Sequence, residues 1–548
     1  MPFLFLSLFK VPKTLNIESS LMRNFSRALR VSVAAVATTA LTTGLVAPAH
    51  AAASGPKNII YMIGDGMGYG HIASNNLYES GQSKYLVEGA FGADTAKELE
   101  GESVQAFEDF NRLSMTTFPH GGSYDPAKAW SDHEYIKQGP TDSAAAGTAM
   151  ATGSKVDNGT LGVSAYGHEM ENLSERAIRE GKSAGVVTSV PFDHATPAAF
   201  AAHNKNRNNY LEIGESMINS DLSVIMGAGH PEYNDDAQKV AAGSEDYSYI
   251  SKENLAALRD GSKGWEFTDN TAGFESLAAG NVEEGKKYFG LAPVATTLQQ
   301  NRSGDAKAKE PGTDPKNDIV DLPTMTNGAL NALGQDEDGF SLMIEGGAID
   351  WSGHANQTGR DIEEVQDFNA AVDAAIDWVE KNSSWEETLL IVTADHETGY
   401  LSGADETDAW KPQTGTKGTA PTHEWYSTNH TNQVVPFFFK GAGSEDIQAK
   451  VSGTDPVRGE YIDNTTVAKL ALDEWWFNTA EDDTDNPGDT DNKPSNGGSS
   501  NGSSSAGAGL AGAGVMALIF GIITAAAQAL GLVKFDFKAL QDLIKQFA

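Results

Sequence analysis

The sequence predicts an α/β fold, with a largely parallel central sheet flanked by helices and with insertions. Between residues 55 and 478, short apolar runs alternate with helical patterns, as they do where helices connect parallel strands. The predicted buried strands are 58–63, 184–190, 341–344, 389–393 and 434–439. A helix with one apolar face is predicted over 361–381. Its apolar positions are Val365, Phe368, Val372, Ile376 and Val379.

Four segments are predicted along the 548 residues. They are an upstream extension with a secretory signal at 1–51, a large folded domain at 52–480, an acidic and then Gly/Ser-rich linker at 481–505, and a hydrophobic segment with an amphipathic tail at 506–548. Within the large domain, the stretch 230–335 is polar, rich in glycine and weakly periodic. We predict an insertion with loops there, near the functional site or an interface.

The N-terminus has the features of an export signal. Arg23, Arg27 and Arg30 precede the uncharged, mostly apolar stretch 31–46, and Ala-His-Ala at 49–51 offers a cleavage site. Met22 is an alternative start of the chain, and an uncleaved N-terminal membrane anchor is the alternative interpretation. We expect an exported protein, periplasmic or extracellular.

The segment 510–533 is a candidate membrane tether. It contains no charge and numbers 24 residues, enough to span a hydrocarbon core of ~30 Å. Lys534, Lys538 and Lys545 follow it, as the positive-inside rule requires when the preceding domain is exported. Because the segment is rich in Gly and Ala, a buried or disordered tail, or a tail lying flat on a membrane, is the alternative.

The composition excludes several classes of partner and site. The chain has 75 Asp and Glu against 39 Lys and Arg, a net charge of −36, which disfavours nucleic acid and anionic membranes. Removal of residues 1–51 takes away five basic residues and one acidic residue, which leaves −40. This charge is typical of a soluble surface or, in a sharper interpretation, of a halophilic protein. Because there is no cysteine, any metal must bind to His and carboxylate ligands.

Acidic residues and histidines follow the predicted strands where each strand ends. Open α/β sheets bind ligands at the carboxyl ends of their strands, so we predict that these side chains converge on one edge of the sheet. They are Asp65, His194 with Thr196, Glu345 with Asp350 and His354, Asp395 with His396, and His430 before the last strand. A single Asp in this position is more often a turn former, and a single His is more often structural. The prediction therefore depends on the whole set.

Ser143 is a candidate nucleophile, in the sequence GPTDSAAAGT at 139–148. Residues 140–142 are typical of a helix start, and the alanine run that follows forms helices readily. The positive end of the helix dipole and its free N–H groups would suit a phosphate beside Ser143. An ordinary helix-capping serine is the alternative.

Together, these motifs resemble those of the alkaline phosphatase family. The resemblance covers residues 55–478 and includes GDGMG, TDSAAAGTAMATG, HATPAAFAAH, IEGGAIDWSGH, TADHETG and the NHT before VVPFFF. It implies an alkaline phosphatase catalytic domain over 52–480. It further implies hydrolysis of small phosphate monoesters through a phosphoserine intermediate, at a site with two zinc ions and one magnesium ion, in a homodimer.

The resemblance also implies a role for each site residue. The first zinc would be held by Asp350, His354 and His430, and the second zinc by Asp65, Asp395 and His396. The magnesium would be held by Asp65, Thr196 and Glu345. Arg207 would clamp the phosphate that Ser143 attacks. His194 and Trp351 resemble the marine-bacterial branch, which implies that His194 lies behind the magnesium ligands without binding the ion. A phosphodiesterase with the same zinc pair, and a phosphate-binding or adhesion protein on an inactive scaffold, are the alternatives. Ser143, Thr196, Glu345 and Arg207 argue against the first, and the intact ligand set argues against the second.

Overall fold

The computed structural model describes residues 55–476 of the protein. The predicted signal at 1–51, the linker at 481–505 and the segment 506–548, with the candidate tether, lie outside these residues. Among the helices described between residues 55 and 476, none is long and apolar enough to cross a membrane.

The main sheet is built from 11 of the strands, and shorter strands form small sheets beside it. The strands are β1 (Asn58–Gly64), β2 (Val87–Ala90), β3 (Lys97–Glu98), β4 (Asn111–Thr116), β5 (Ser183–Pro191), β6 (Val224–Ala228), β7 (Trp265–Thr268), β8 (Lys287–Leu291), β9 (Phe340–Gly346), β10 (Thr388–Thr393), β11 (Glu397–Thr398), β12 (Leu401–Ser402), β13 (Ala409–Trp410), β14 (Glu424–Trp425), β15 (His430–Thr431), β16 (Val435–Gly441), β17 (Gly453–Asp455) and β18 (Gly459–Asp463). The α-helices are α1 (Tyr69–Ser80), α2 (Pro126–Ser131), α3 (Ser143–Thr152), α4 (Leu173–Arg179), α5 (Ala195–Ala199), α6 (Tyr210–Ile218), α7 (Lys252–Arg259), α8 (Thr271–Ala278), α9 (Leu322–Leu333), α10 (Ala348–Ala355), α11 (Thr358–Asn382), α12 (Ser444–Gln448) and α13 (Thr466–Leu470).

The strand order of the main sheet is β17-β18-β4-β16-β10-β1-β9-β5-β6-β8-β7. The seven strands from β10 to β7 are parallel to one another. β16 is antiparallel to both β10 and β4, and β17 is antiparallel to β18, so these two strands run against the other nine. The predicted α/β fold with a largely parallel sheet is confirmed.

The five strands predicted from apolar runs correspond to β1, β5, β9, β10 and β16, with ends that differ by one or two residues. Every residue of β1, β9 and β10 is buried. Strands that are covered on both faces have continuous apolar runs, and this is why the sequence predicts them well. These strands form the middle of the sheet and the centre of the hydrophobic core.

The helix predicted over 361–381 is α11, which begins three residues earlier and packs its apolar face into the core. The prediction for 230–335 is wrong in part. This stretch contains α7, α8 and α9, together with β7 and β8, which form one edge of the main sheet. Two long parts of it, 230–251 and 292–321, have neither helix nor strand, apart from one isolated bridge between Tyr233 and Lys239. β7, at the edge of the sheet, buries only Trp265, and β8 has only five residues, so their apolar pattern is weak.

Candidate active site

The carboxyl ends of β1, β9 and β10 meet in the middle of the main sheet. Ile63, near the end of β1, is in register with Glu345 of β9 and with Thr393 of β10. Asp65 and Asp395 follow the ends of β1 and β10 directly. Parallel strands in register end at the same level, so the three acidic residues come together, as the sequence predicts.

Asp350, His354 and His430 form the first metal group. One ligand atom from each lies within 4.8 Å of the others. Asp350 Oδ1 is 3.4 Å from His354 Nε2 and 3.2 Å from His430 Nε2. Asp350 and His354 lie four residues apart on α10, so they share one face of that helix, and His430 comes from β15. Three ligand atoms at these distances are suited to one metal ion.

Asp65, Asp395 and His396 form the second metal group, which meets the same 4.8 Å limit. His396 Nε2 lies 3.1 Å from Asp395 Oδ2 and 3.5 Å from Asp65 Oδ1. All three residues are fully buried. The structure therefore brings these six residues together in the two sets that the resemblance to the alkaline phosphatase family implies.

Main-chain carbonyls orient the histidines of the first metal group. His354 Nδ1 is 2.8 Å from Thr428 O, and His430 Nδ1 is 2.8 Å from Thr141 O. A ring that donates from Nδ1 to a carbonyl presents the lone pair of Nε2 to a metal. The two Nε2 atoms lie 3.0 Å apart, so both lone pairs face the same point.

Several buried oxygens at this site have no hydrogen-bond partner within residues 55–476. They are both carboxylate oxygens of Asp65, Oε1 of Glu345, Oδ2 of Asp395 and Oγ1 of Thr196. The other oxygen of Glu345 accepts a hydrogen bond from Thr188 Oγ1. Buried carboxylates are costly unless a cation or a donor satisfies them. This set of carboxylates, a hydroxyl and imidazoles fits Zn²⁺ and Mg²⁺.

The electrostatics of the site favour positive charge. Burial, together with Asp395 and Asp350, raises the pKa of Asp65 well above its usual range. Burial also raises the pKa of Glu345 to about 7. Burial acts to lower the pKa of His430, but the hydrogen bond with Asp350 outweighs it and raises the pKa to about 9. The carboxylates crowd one another, so cations between them would relieve their repulsion.

Ser143 is the first residue of α3, and Asp142 precedes it as the N-cap. Asp142 Oδ1 accepts a hydrogen bond from Ala145 N at 2.9 Å, so the alternative that Ser143 caps the helix is wrong. Ser143 Oγ instead lies 3.2 Å from His396 Nε2. The ring of His396 stacks on that of His430 with 3.6 Å between centroids, so the two metal groups touch beside the serine hydroxyl.

Arg207 approaches the same helix start. Its Nη1 donates to Asp142 Oδ2 at 3.1 Å, and Gly159 N donates to that oxygen at 2.9 Å. Within residues 55–476, the remaining N–H groups of this guanidinium make no hydrogen bond to protein. They face a pocket that Ser143 also lines. A guanidinium with free donors beside a helix N-terminus is suited to an anionic ligand.

Known proteins are similar to this chain in sequence. The family model described as alkaline phosphatase matches residues 56–450. The chain belongs to the alkaline phosphatase family. It is 30% identical to alkaline phosphatase 3 of Bacillus subtilis (strain 168) over 361 residues, 65% of this chain and 64% of that protein. It is 28% identical to the alkaline phosphatase of Escherichia coli (strain K12) over 381 residues, 64% of this chain and 72% of that protein. The chain thus spans less than two thirds of the length of the first relative.

A solved structure of the alkaline phosphatase from the Antarctic bacterium TAB5 is similar to this one. The TM-score is 0.51 at 25% identity, and the match covers 78% of this chain and 99% of that chain. The predicted family is therefore confirmed by sequence and by fold.

In this alkaline phosphatase family member, the first metal group opens into a pocket of about 400 Å³. Its lining residues are Ser143, His194, Arg207, Gln300, Asn301, Asp350, Trp351, His354 and His430. Sequence analysis did not single out Gln300 and Asn301. Both come from the irregular stretch 292–321, where a polar pair has no pattern that could point to a site.

His194 and Trp351 form part of the pocket wall. Their rings meet edge to face with 5.7 Å between centroids, and His194 lies parallel to the ring of Tyr210 at 6.3 Å. Burial, with Arg207 nearby, lowers the pKa of His194 to about 3, so the ring is neutral at ordinary pH. Its buried Nδ1 has no hydrogen-bond partner among the residues that the structure describes.

Thr188 and Thr398 were not predicted as site residues, and Asp142 was predicted only as part of a helix start. Thr398 Oγ1 donates to Asp350 Oδ1 at 2.5 Å and lies 3.3 Å from His396 Nδ1, so it touches one residue of each metal group. Asp142 alone has a sequence signal, because an Asp directly before an alanine-rich helix is typical of an N-cap.

Proposed function

We propose that the protein hydrolyses phosphate monoesters to an alcohol and inorganic phosphate, with Ser143 as the nucleophile and a phosphoserine as the intermediate. The observation that carries this proposal is the position of Ser143 Oγ, 3.2 Å from His396 Nε2 at the start of α3. Asp142 caps the helix, so the serine hydroxyl has no structural task there. Family membership supports the same activity.

Two zinc ions and one magnesium ion fit the donors at the site. The first metal group would hold one zinc and the second metal group the other, while Asp65, Thr196 and Glu345 would hold the magnesium. When bound, the ions would polarise the phosphate and favour the anionic forms of the attacking and leaving oxygens. The unpartnered buried oxygens of these residues support the assignment. His194 would lie behind the magnesium ligands, against Trp351.

The chain's own residues account for the rest of the reaction. Ser143 Oγ forms a bond to phosphorus as the ester P–O bond breaks, and the alcohol leaves with the bonding electrons and a proton. Water then attacks the phosphoserine, and Ser143 regains its proton as phosphate departs. Arg207 donates its free N–H groups to the phosphate oxygens, and Asp142 keeps the guanidinium in place. The N–H groups at the start of α3 add to the binding of the anion.

We also propose that the protein is exported, that it accepts many small monoesters, and that it forms a homodimer. The charged and apolar pattern of 1–51 supports export, and the family supports the homodimer. Family membership supports the broad specificity, and in the pocket Arg207 would bind the phosphate group that all monoesters share. The segment 510–533 would tether the protein to a membrane.

The variant Ser143→Ala tests the nucleophile. We expect hydrolysis of p-nitrophenyl phosphate at alkaline pH to fall by more than about 10³-fold, with no phosphoserine trapped on acid quenching. The control is Ser131→Ala, because that hydroxyl donates only to Ala127 O in the described chain and lies on the exposed helix α2. Full activity of Ser143→Ala would contradict the assignment, and faster turnover of bis-p-nitrophenyl phosphate would favour a phosphodiesterase.

Metal removal tests the cofactors separately. We expect EDTA to inactivate the wild type, zinc to restore most of the activity, and magnesium to increase it further. Fewer than two zinc ions per active chain would contradict the two-zinc site.

A further inference from the structure

A second buried polar cluster lies between α1 and α11, which pack against each other. His71, in the first turn of α1, is fully buried, and neither ring nitrogen has a hydrogen-bond partner in the described part of the chain. Asp361, in the first turn of α11, is 1% exposed, and neither carboxylate oxygen has a hydrogen-bond partner there. His71 Nε2 lies 3.7 Å from Asp361 Oδ1, which is too far for a hydrogen bond.

The same face of α1 carries further unpartnered polar atoms. Ser74 and Asn75 follow His71 by three and four residues, and residues with this spacing share one helix face. Both are buried, and the serine hydroxyl, the amide oxygen and the amide nitrogen have no hydrogen-bond partner among residues 55–476. A buried polar group without a partner lowers the stability of the fold. Several such groups on one helix face are expected where a bound ion or molecule supplies their missing partners.

An ion pair between the two side chains does not account for the cluster. Burial lowers the pKa of His71 to about 3 and raises that of Asp361 well above its usual range, so both neutral forms are favoured. Glu397 and Glu364 raise the pKa of Asp361 further. The edge of the Trp425 ring lies against His71, with 5.6 Å between centroids. The surroundings of Asp361 are therefore acidic, and a cation would be favourable there.

The 3.7 Å separation also discriminates between a water molecule and a metal ion. A water at a hydrogen-bond distance of ~2.8 Å from both atoms would subtend an angle of only about 83°. A metal ion at ~2.1 Å from both would subtend about 125°, within reach of tetrahedral geometry by a small side-chain rotation. Comparable separations, 3.4 and 3.5 Å, join His354 to Asp350 and His396 to Asp65 in the two metal groups.

We propose that His71 and Asp361 bind a divalent first-row metal ion, of the class of Zn²⁺, with oxygens of Ser74 and Asn75 as further donors. An imidazole nitrogen combined with oxygen donors suits this class better than Ca²⁺. α1 begins four residues after Asp65, and α11 begins four residues after His354. The ion would thus fasten together two helices that follow the ligands of both metal groups.

Metal content tests this site on the full-length protein, purified without chelator. We expect His71→Gln and Asp361→Asn each to contain one metal equivalent fewer than the wild type and to melt at a lower temperature. His203→Gln is the matched control, because both ring nitrogens of His203 are satisfied, by Gly162 O at 3.0 Å and Glu175 Oε1 at 2.8 Å. This control should keep the wild-type metal content. Wild-type metal content in both cluster variants would overturn the proposal.

Anomalous diffraction at the zinc edge gives an answer that does not depend on how the variants fold. In crystals of the wild type soaked with Zn²⁺, we expect a peak within bonding distance of both His71 Nε2 and Asp361 Oδ1. No peak there would overturn this proposal. Peaks at the first and second metal groups report separately on the proposed phosphatase site, so the two proposals can fail independently.

Discussion

Asp142 has two tasks that a pair of substitutions can separate. Its Oδ1 caps α3 through Ala145 N, and its Oδ2 accepts hydrogen bonds from Gly159 N and Arg207 Nη1. Asp142→Asn keeps the cap, because an amide oxygen caps a helix about as well as a carboxylate. The amide NH₂ group in Asp142→Asn would face the N–H groups of Gly159 and Arg207, which are also donors, so this variant cannot hold Arg207. Asp142→Ala removes both contacts.

The magnitudes follow from the two contacts. Loss of an N-cap costs about 1 kcal/mol of stability, and a hydrogen bond to a charged group contributes about 1.5–3 kcal/mol. The side chains of Arg207 and Asp142 are 18% and 21% exposed, so the lower end of that range applies. We expect both variants to bind inorganic phosphate about 10-fold more weakly, the equivalent of 1.4 kcal/mol. Asp142→Ala should also unfold about 1 kcal/mol more easily than Asp142→Asn.

Two measurements check this prediction: the inhibition constant of inorganic phosphate, and the midpoint of urea unfolding. Asp125 offers a matched pair of controls, because it caps α2 through Ala127 N and Lys128 N and does not line the pocket. Asp125→Asn and Asp125→Ala should differ in stability and bind phosphate normally. An unchanged phosphate constant in both Asp142 variants would refute the reasoning that Asp142 holds Arg207 in its binding position.

Three further predictions concern salt, the C-terminus and pH. With a net charge of −40 on the exported chain, the melting temperature should hold or rise from dilute buffer to molar NaCl, and a steady fall would exclude the halophilic interpretation. The full-length protein should fractionate with membranes and resist high-salt washing. A chain ending near residue 485 should be released from membranes and active, because it keeps the hydrogen bond from Trp476 Nε1 to Pro56 O. Soluble, uncleaved full-length protein would disprove the tether. Burial opposes protonation of His203, but the hydrogen bond with Glu175 raises its pKa above 6.5. The stabilisation from the ion pair between protonated His203 and Glu175 is complete below pH 6.5 and is lost as pH rises through the raised pKa of His203. Between pH 6 and 9, the free energy of unfolding of the wild type should therefore fall by up to about 1 kcal/mol more than that of His203→Gln. Equal losses would show that the pair contributes nothing.

The middle of the sheet, and the meeting of acidic residues at the ends of its strands, could be predicted from local patterns, whereas the division into two metal groups came from the family resemblance. β1, β9 and β10 are covered on both faces, so each is a continuous apolar run, and α11 repeats its apolar residues at the helical period. Asp65, Glu345 and Asp395 lie at or directly after these strands. Their convergence follows from the parallel register, which needs no knowledge of how the rest of the chain packs.

Contacts between distant segments could not be predicted in this way. β7 is a short edge strand with one buried residue, and β8 beside it has only five residues, so neither gives a clear pattern. Asp142 and Arg207 are 65 residues apart, and His71 meets Asp361 only because α1 packs on α11. No local propensity encodes such pairs, since each side chain alone is compatible with an exposed position. Tertiary packing buries them, and once they are buried, the cost of an unsatisfied polar atom decides what each of them must contact.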